Sequence, residues 1–356
     1  MLFKGTAKRS ALQIAEEIEG RGGALNAFTD KENTCYYCRV LAEDTEVGID
    51  VLADMVCDSA LAEEEMEREK GVVLEEIKRS DDEPSDHVHE LHIQALWKDS
   101  PFGKPVLGVP DTVSSFSPDD LRNYMARRYN GATILLAVAG NVDPEDVRNW
   151  AEESLGGIPA GDRGNGLARP EGAAGENIIA KDIEQVHFCI GGDGVSMHDD
   201  DRYAAIVMDG VLGSGMSSRL FQEVREKRGL AYAIGSYMLS YSTGGAFTVF
   251  GGTGMKTWQQ VQDIVRSEFD KLMKSGAPDG ELEKVKKNFA GHVVLALEST
   301  STRMMRMARN EINYGRQIPV EETLDAVRAV TNDQLMTIAN RVLSKDNTST
   351  TAIGPF

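Results

Sequence analysis

The chain has no apolar run approaching the ~18 residues that a membrane-spanning helix needs, so no such helix is expected. It is short of cysteine: four in 356 residues cannot build a disulfide scaffold. It is also short of positive charge, with 38 Lys and Arg against 57 Asp and Glu, a net charge of −19. That field repels phosphate and speaks against nucleic acid or an anionic membrane as the partner. Met1-Leu2-Phe3-Lys4-Gly5-Thr6 opens the chain with neither the apolar core of a signal peptide nor the pattern of a transit peptide. A soluble, cytoplasmic globular protein is expected. The length suggests two domains.

Glycine is plentiful, and its clusters divide the chain. Residues 156–177 hold seven glycines with Pro159 and Pro170 and read as a linker between domains at 1–155 and 178–356. The two parts resemble each other. Ser117-Pro118-Asp119-Asp120-Leu121 and Thr331-Asn332-Asp333-Gln334-Leu335 each open a capped helix, at an offset of 214. Arg127 then matches Arg341, and a strand ending at Gly140 matches one ending at Gly354. Upstream, Glu65 to Arg68 aligns with Glu281 to Lys284. A strand pair and a helix precede each: 33–41 and 46–56 in the first half, 244–251 and 257–269 in the second. A tandem duplication accounts for these matches. On this offset the first copy is expected to lack about 36 residues that the second possesses, a strand over 185–191 and a helix over about 200–212. Met216 falls opposite Met1 at an offset of 215, so the first domain is expected to begin at the end of a helix whose body is absent. A missing strand leaves a sheet edge unpaired.

Three segments could carry chemistry. Glu69 and Glu76 are seven apart in the acidic helix over 63–78, on one face and roughly 10 Å apart along the axis. A carboxylate pair beside Val73 suits metal binding or proton transfer; a solvated acidic face has the same spacing. Gly22-Gly23 leads into Asn26-Ala27-Phe28, where an exposed strand edge could take a peptide as an added strand, or form only a hairpin. Arg225 could grip a carbonyl or carboxylate, and the Tyr232 hydroxyl could donate to a developing oxyanion; a helix end capped at Gly229 needs the same residues. Cys35-Tyr36-Tyr37-Cys38 has knuckle spacing but lies in a strand and lacks a second pair. His87, His89 and His92 fit neither H-E-x-x-H nor H-x-x-E-H.

These motifs together resemble the pitrilysin/insulinase family of zinc peptidases, the inverzincins. Within that family the chain is similar to the short bacterial processing peptidases and the mitochondrial processing peptidase β subunit. The resemblance covers essentially the whole chain. It implies an α+β fold of two homologous α/β-roll domains, each a mainly antiparallel sheet packed on helices, the first truncated at its N-terminus. It also implies a metalloendopeptidase using Zn2+, with Glu76 as metal ligand, Glu69 as the supporting acid, Asn26, Ala27 and Phe28 as the edge strand for extended substrate, and Arg225 with Tyr232 as catalytic helpers. In this family a zinc-polarised water attacks the peptide carbonyl. Two chains close on a peptide substrate, so a homodimer or a heterodimer with a paralogue is implied, and the Arg–Tyr pair of one serves the metal site of the other. The family's H-x-x-E-H motif would end just before Met1. Two zinc histidines and the general-base Glu are therefore missing from 1–356, and little or no peptidase activity is expected of the polypeptide as it stands, with Zn2+ absent or weakly bound. A non-catalytic, peptide-holding partner subunit is the alternative.

Overall fold

A computed structural model describes residues 1–164 and 166–356. Among them, no helix is long and apolar enough to cross a membrane. The chain forms two compact units whose membership departs from chain order: 1–78, 106–166 and 296–317 make the first, and 79–105, 167–295 and 318–356 the second.

The second unit is built on a five-stranded sheet. Its strands are β3 (Glu176–Ala180), β4 (Gln185–Asp193), β5 (Ala231–Ser240), β6 (Gly245–Gly254) and β7 (Thr348–Gly354), in the order β3-β7-β4-β6-β5. Every neighbouring pair is antiparallel except β3 with β7. Val186, Phe188 and Ile190 alternate along β4 and are buried, as the period of a strand requires. They join one core with α8 (Arg202–Leu212), α9 (Trp258–Ser275), α12 (Val320–Ala329) and α13 (Asn332–Leu343). α10 (Asp279–Ala296) adds Leu282 to it. Thr331 caps α13 by accepting from the Gln334 backbone, while Gln334 accepts from the Thr331 backbone.

Helix α4 (Pro84–Leu96) lies against β4 and β7 and buries Val88 with Cys189 and Ile353. The three α4 histidines therefore sit on an element packed against this sheet. His89 Nδ1 lies 2.9 Å from the Tyr237 hydroxyl. His92 is buried, with Nδ1 3.3 Å from Thr351 Oγ1 and Nε2 unpartnered among the described residues.

The first unit has a two-stranded sheet, β1 (Ala24–Thr29) antiparallel to β2 (Thr34–Arg39). Its helices are α1 (Ala11–Glu19), α2 (Thr45–Cys57), α5 (Pro110–Ser115), α6 (Pro118–Arg128), α7 (Pro144–Leu155) and α11 (Thr300–Tyr314), with most of the acidic α3 (Glu63–Asp82). Ile14, Ile18, Val51 and Met55 form its small core. Arg9 fastens α1 to α2: it donates to Glu17 at 3.0 Å, to Asp54 at 2.7 Å and to Asp50. Asp54 is buried and also accepts from Thr6 Oγ1 at 2.7 Å.

One expected strand is absent. Residues 134–140, the counterpart of β7, form no strand. β7 is a strand because β3 and β4 supply its hydrogen-bond partners, and no described strand stands beside 134–140 to do so. Helices α4 and α11, themselves counterparts at the offset of 214, are exchanged between the two halves of the chain.

Arg9→Ala leaves the Asp54 carboxylate buried without its cation and should cost about 3 kcal/mol in chemical denaturation of the first unit. His92 gives a pH dependence. Burial lowers its pKa from 6.5 to about 4, so it stays neutral when folded and takes up a proton on unfolding. The second unit should lose stability as pH falls from 6.5 toward 4, and His92→Phe should flatten that slope in thermal melts.

Candidate functional site

The residues singled out by sequence fall into two groups. In the first unit, α3 opens with Glu63, Glu64 and Glu65, which suit a helix N-terminus. Glu69 lies two turns along and is part-buried, paired with Lys4 Nζ at 2.7 Å. The Met1 amine is its other electrostatic neighbour; burial pulls that amine below its ordinary value and Glu69 opposes the shift. Glu76, on the same helix face, is exposed and has no hydrogen bond or ion pair among the described residues.

Zinc needs three protein donors in a catalytic site. All six histidines, at 87, 89, 92, 187, 198 and 292, belong to the second unit, and the unit that holds Glu69 and most of α3 has none. Among the described residues no three His, Cys, Asp or Glu side chains are grouped to hold a metal. The donors present in 1–356 do not fit a zinc centre. Cys35 and Cys38 are free thiols; Cys35 Sγ is 4.0 Å from Met305 Sδ.

Asn26, Ala27 and Phe28 lie on β1, which pairs with β2 on one edge and with no described strand on the other. Asn26 is exposed, and its Oδ1 accepts from the Ala27 backbone N–H at 2.8 Å. A peptide strand laid along this edge would find Asn26 beside its backbone.

In the second unit, Arg225 and Tyr232 are brought together. The Arg225 guanidinium lies 4.9 Å from the Tyr232 ring centre and 4.8 Å from that of Phe221. Three local devices produce this clamp. Residues 221–226 form a π-helical turn, a feature found often at functional sites. Gly229 turns the chain with φ +61°, which a side chain would oppose. A β-bulge between Ala231 and Ala233 then leaves Tyr232 out of the ladder with β6, so its ring projects and is 82% exposed.

The nearby Glu223 carboxylate is engaged elsewhere. Lys227 and Arg228 bind Glu223 and hold its carboxyl at about 2. Arg225 is left without a carboxylate partner among the described residues, its N–H edges open to an incoming acceptor. Phe221 is a member of this clamp that the sequence reading missed; its place four residues before Arg225, one helical turn, was the signal.

Together these features define an α+β chain with a strand edge left unpaired by the described strands in one unit and an arginine held beside two aromatic rings in the other. Residues 1–109 match the model of the insulinase family, peptidase family M16, and residues 115–289 match the peptidase M16 inactive domain. The chain belongs to peptidase family M16. It is 39% identical to an uncharacterized zinc protease of Bacillus subtilis over 97% of this chain and 84% of that protein. An uncharacterized zinc protease of Rickettsia felis is 35% identical over 100% of this chain and 86% of its own. Among solved structures, a peptidase M16 inactive domain from Pseudomonas fluorescens has TM-score 0.93 at 20% identity, covering 100% of this chain and 86% of that one. A protease from Helicobacter pylori has TM-score 0.91 at 19% identity, covering 99% and 87%. These two structures share the fold.

Phe221→Ala removes one face of the clamp, worth about 0.5–1 kcal/mol for a cation over a ring at an exposed site. It should raise the rate at which phenylglyoxal modifies Arg225, read by peptide mass mapping, with the thermal melt unchanged.

Proposed function

We propose that this chain is the peptide-holding framework of a zinc metalloendopeptidase. An extended peptide adds to the free edge of β1 at Asn26–Phe28 through backbone hydrogen bonds. Arg225 and Tyr232 donate to its carbonyls and to the oxyanion that forms on hydrolysis. Residues 1–356 do not by themselves supply the metal donors, so hydrolysis requires histidines from outside this stretch, with Glu76 as the ligand and Glu69 as the supporting acid that this chain contributes. The observation that carries the reading is the pairing of an intact Arg225–Tyr232 clamp with a first unit that has acids and no histidine. The same distribution favours, as a second reading, a non-catalytic partner that holds peptide for another subunit. In either case the working form is a pair of chains, a homodimer or a heterodimer with a paralogue. The excess of acid suits basic peptides such as targeting sequences.

Zinc content and chelator-sensitive cleavage of a basic fluorogenic peptide test this. Residues 1–356 should bind zinc at well below one per chain and cleave nothing. The same chain, joined at Met1 to a segment that supplies the H-x-x-E-H motif, should bind about one zinc and cleave. Full zinc and cleavage by 1–356 alone would overturn the proposal. Full zinc without cleavage in the joined chain, on a peptide that both forms bind, would favour the partner-subunit reading.

A further inference from the structure

Four of the six histidines meet where α4 packs on the sheet of the second unit. His87, His89 and His92 lie on α4; His187 lies on β4, on the same face as Cys189. They are not equivalent. His87 looks to acids, with Asp81 3.3 Å and Glu90 4.0 Å from its Nδ1. His187 has Glu83 as its charged neighbour. His89 and His92 face the strands. His89 Nδ1 lies 2.9 Å from the Tyr237 hydroxyl and 3.5 Å from Cys189 Sγ, with its ring against those of Tyr237 and Phe250. His92 is fully buried; Thr351 takes its Nδ1, and its Nε2 has no partner among the described residues.

The surface that these two imidazoles face carries almost no charge. β5, β6 and β7 contain no Asp, Glu, Lys or Arg. β4 contains one acid, Asp193, whose carboxylate accepts from Trp97 Nε1 at 2.7 Å and from the Gly172 N–H at 2.8 Å. Lys181, in the turn between β3 and β4, donates to the Asp81 carbonyl. Burial pushes the Cys189 thiol and the Tyr237 phenol up, so both stay neutral in acid. On α4 itself, Asp86 is the acid that His89 feels, and the titratable group that His92 feels is His89, a second base. A proton on His92 therefore meets no acid, and it leaves Nε2 as a buried donor without an acceptor.

The two ends of α4 are held by different chemistry. Beyond His92, Ile93, Leu96 and Trp97 pack with Phe102 and Ala246, against Leu239 and Tyr241. The Trp97 ring stands edge-on to Phe102 and Tyr241. This anchor is aromatic and aliphatic and is indifferent to acid. The front of the helix is held by Val88, Leu91 and the two histidines.

We infer that α4 is an acid-released strap: protonation of His89 and His92 swings residues 84–92 off the sheet about the aromatic anchor at 93–103 and uncovers Cys189. The sign follows from where the protons go. Docked, both imidazoles are neutral, because burial lowers each below its ordinary 6.5; Asp86 opposes the shift at His89, and His92 falls to about 4. Released into water, they regain the ordinary value and take up protons, so acid favours release. His92 alone should shift the release equilibrium by about 20-fold between pH 7 and pH 5, and His89 adds in the same direction. The release is local and precedes loss of the unit, whose core lies on the other face of the sheet. It uses none of Asn26, Glu69, Glu76, Arg225 or Tyr232, so it stands apart from the peptidase reading.

Amide hydrogen exchange of 1–356 at pH 7 and pH 5, corrected for the pH dependence of intrinsic exchange, tests it. Amides of 86–92 should lose protection by about 20-fold or more, while those of α13 and of 97–103 keep theirs. Over the same range 4,4′-dithiodipyridine, which labels thiols in acid, should begin to mark Cys189 in peptic peptide maps. The double variant His89→Phe, His92→Leu should keep α4 protected and Cys189 unlabelled at pH 5, and His87→Gln should behave like the parent chain. Unchanged protection of 86–92 with an unlabelled Cys189 at pH 5 overturns the inference. So does exchange of α13 in step with α4, which is loss of the whole unit, and so does release of the double variant at the same pH. If the double variant is already open at pH 7, His92→Gln decides: a smaller change in 86–92 between pH 7 and pH 5 than in the parent supports the strap, and an equal change overturns it.

Discussion

The pairing of β4 on both edges is the constraint from which the rest of the second unit follows. A strand can be buried only when its N–H and C=O groups are taken up, because a buried unpaired backbone group costs as much as a lost hydrogen bond. β4 satisfies β7 on one side and β6 on the other, and only then can Thr348 to Gly354 lie wholly inside. The sheet so closed offers one continuous apolar face, on which α8, α9 and α13 bury their stripes. The first unit repeats nearly the same sequence pattern without that central strand. Its β7 counterpart forms no strand, and its core shrinks to a cluster around Ile14, Ile18, Val51 and Met55. Hydrophobic residues are present in both halves; what differs is whether the backbone beside them has a partner.

Much of this was legible in the residues. Strands were expected over 185–191 and 244–251, where β4 and β6 lie, the capping pattern of Thr331 and Gln334 marked the start of α13, and Arg225 and Tyr232 were singled out together. The duplication was legible because caps and terminal glycines recur at one offset. The strand at 134–140 was expected from β-branched composition, and composition describes a side chain's preference, not the existence of a neighbour. The exchange of α4 and α11 between units was hidden for a related reason: amphipathic helices show which face is buried, not against which sheet. The histidines of α4 illustrate it. Their sequence pattern excludes zinc motifs, yet only the fold shows that His92 is buried against β7 while His89 rests on Tyr237 and Phe250.

The Arg225–Tyr232 arrangement depends on the closed sheet in turn. A bulge re-aims a side chain only if the ladder on both sides of it is firm, and β5 is held along its length by β6, itself fixed by β4. With Ala231 buried in the ladder and Ile234 in the core, Tyr232 has no inward direction to take and stands out under the guanidinium. The neighbouring charges complete the effect. In a chain with 57 acids, an arginine would ordinarily find a carboxylate, but Glu223 is held by Lys227 and Arg228. Two rings cover the faces of the guanidinium and leave its N–H groups as the unsatisfied part. A cation kept from its own acids is available to a ligand's oxygens, and the geometry favours acceptors that approach in the guanidinium plane.

The two units thus spend the same duplicated framework differently. The second has a full five-stranded sheet and sets Arg225 and Tyr232 at its rim, on an edge strand and the π-helical turn before it. The first has a two-stranded sheet whose outer edges are paired with no described strand, and an acidic helix, features that stabilise little alone. An open edge is a hazard in a protein built only to be stable, since it invites pairing with any strand. On β1 the Asn26 side chain accepts from the Ala27 N–H, so that amide is satisfied locally. An exposed hydrogen bond of this kind contributes about 1 kcal/mol or less, because water competes for both groups, so it adds little to the stability of a two-stranded sheet that a small core must hold.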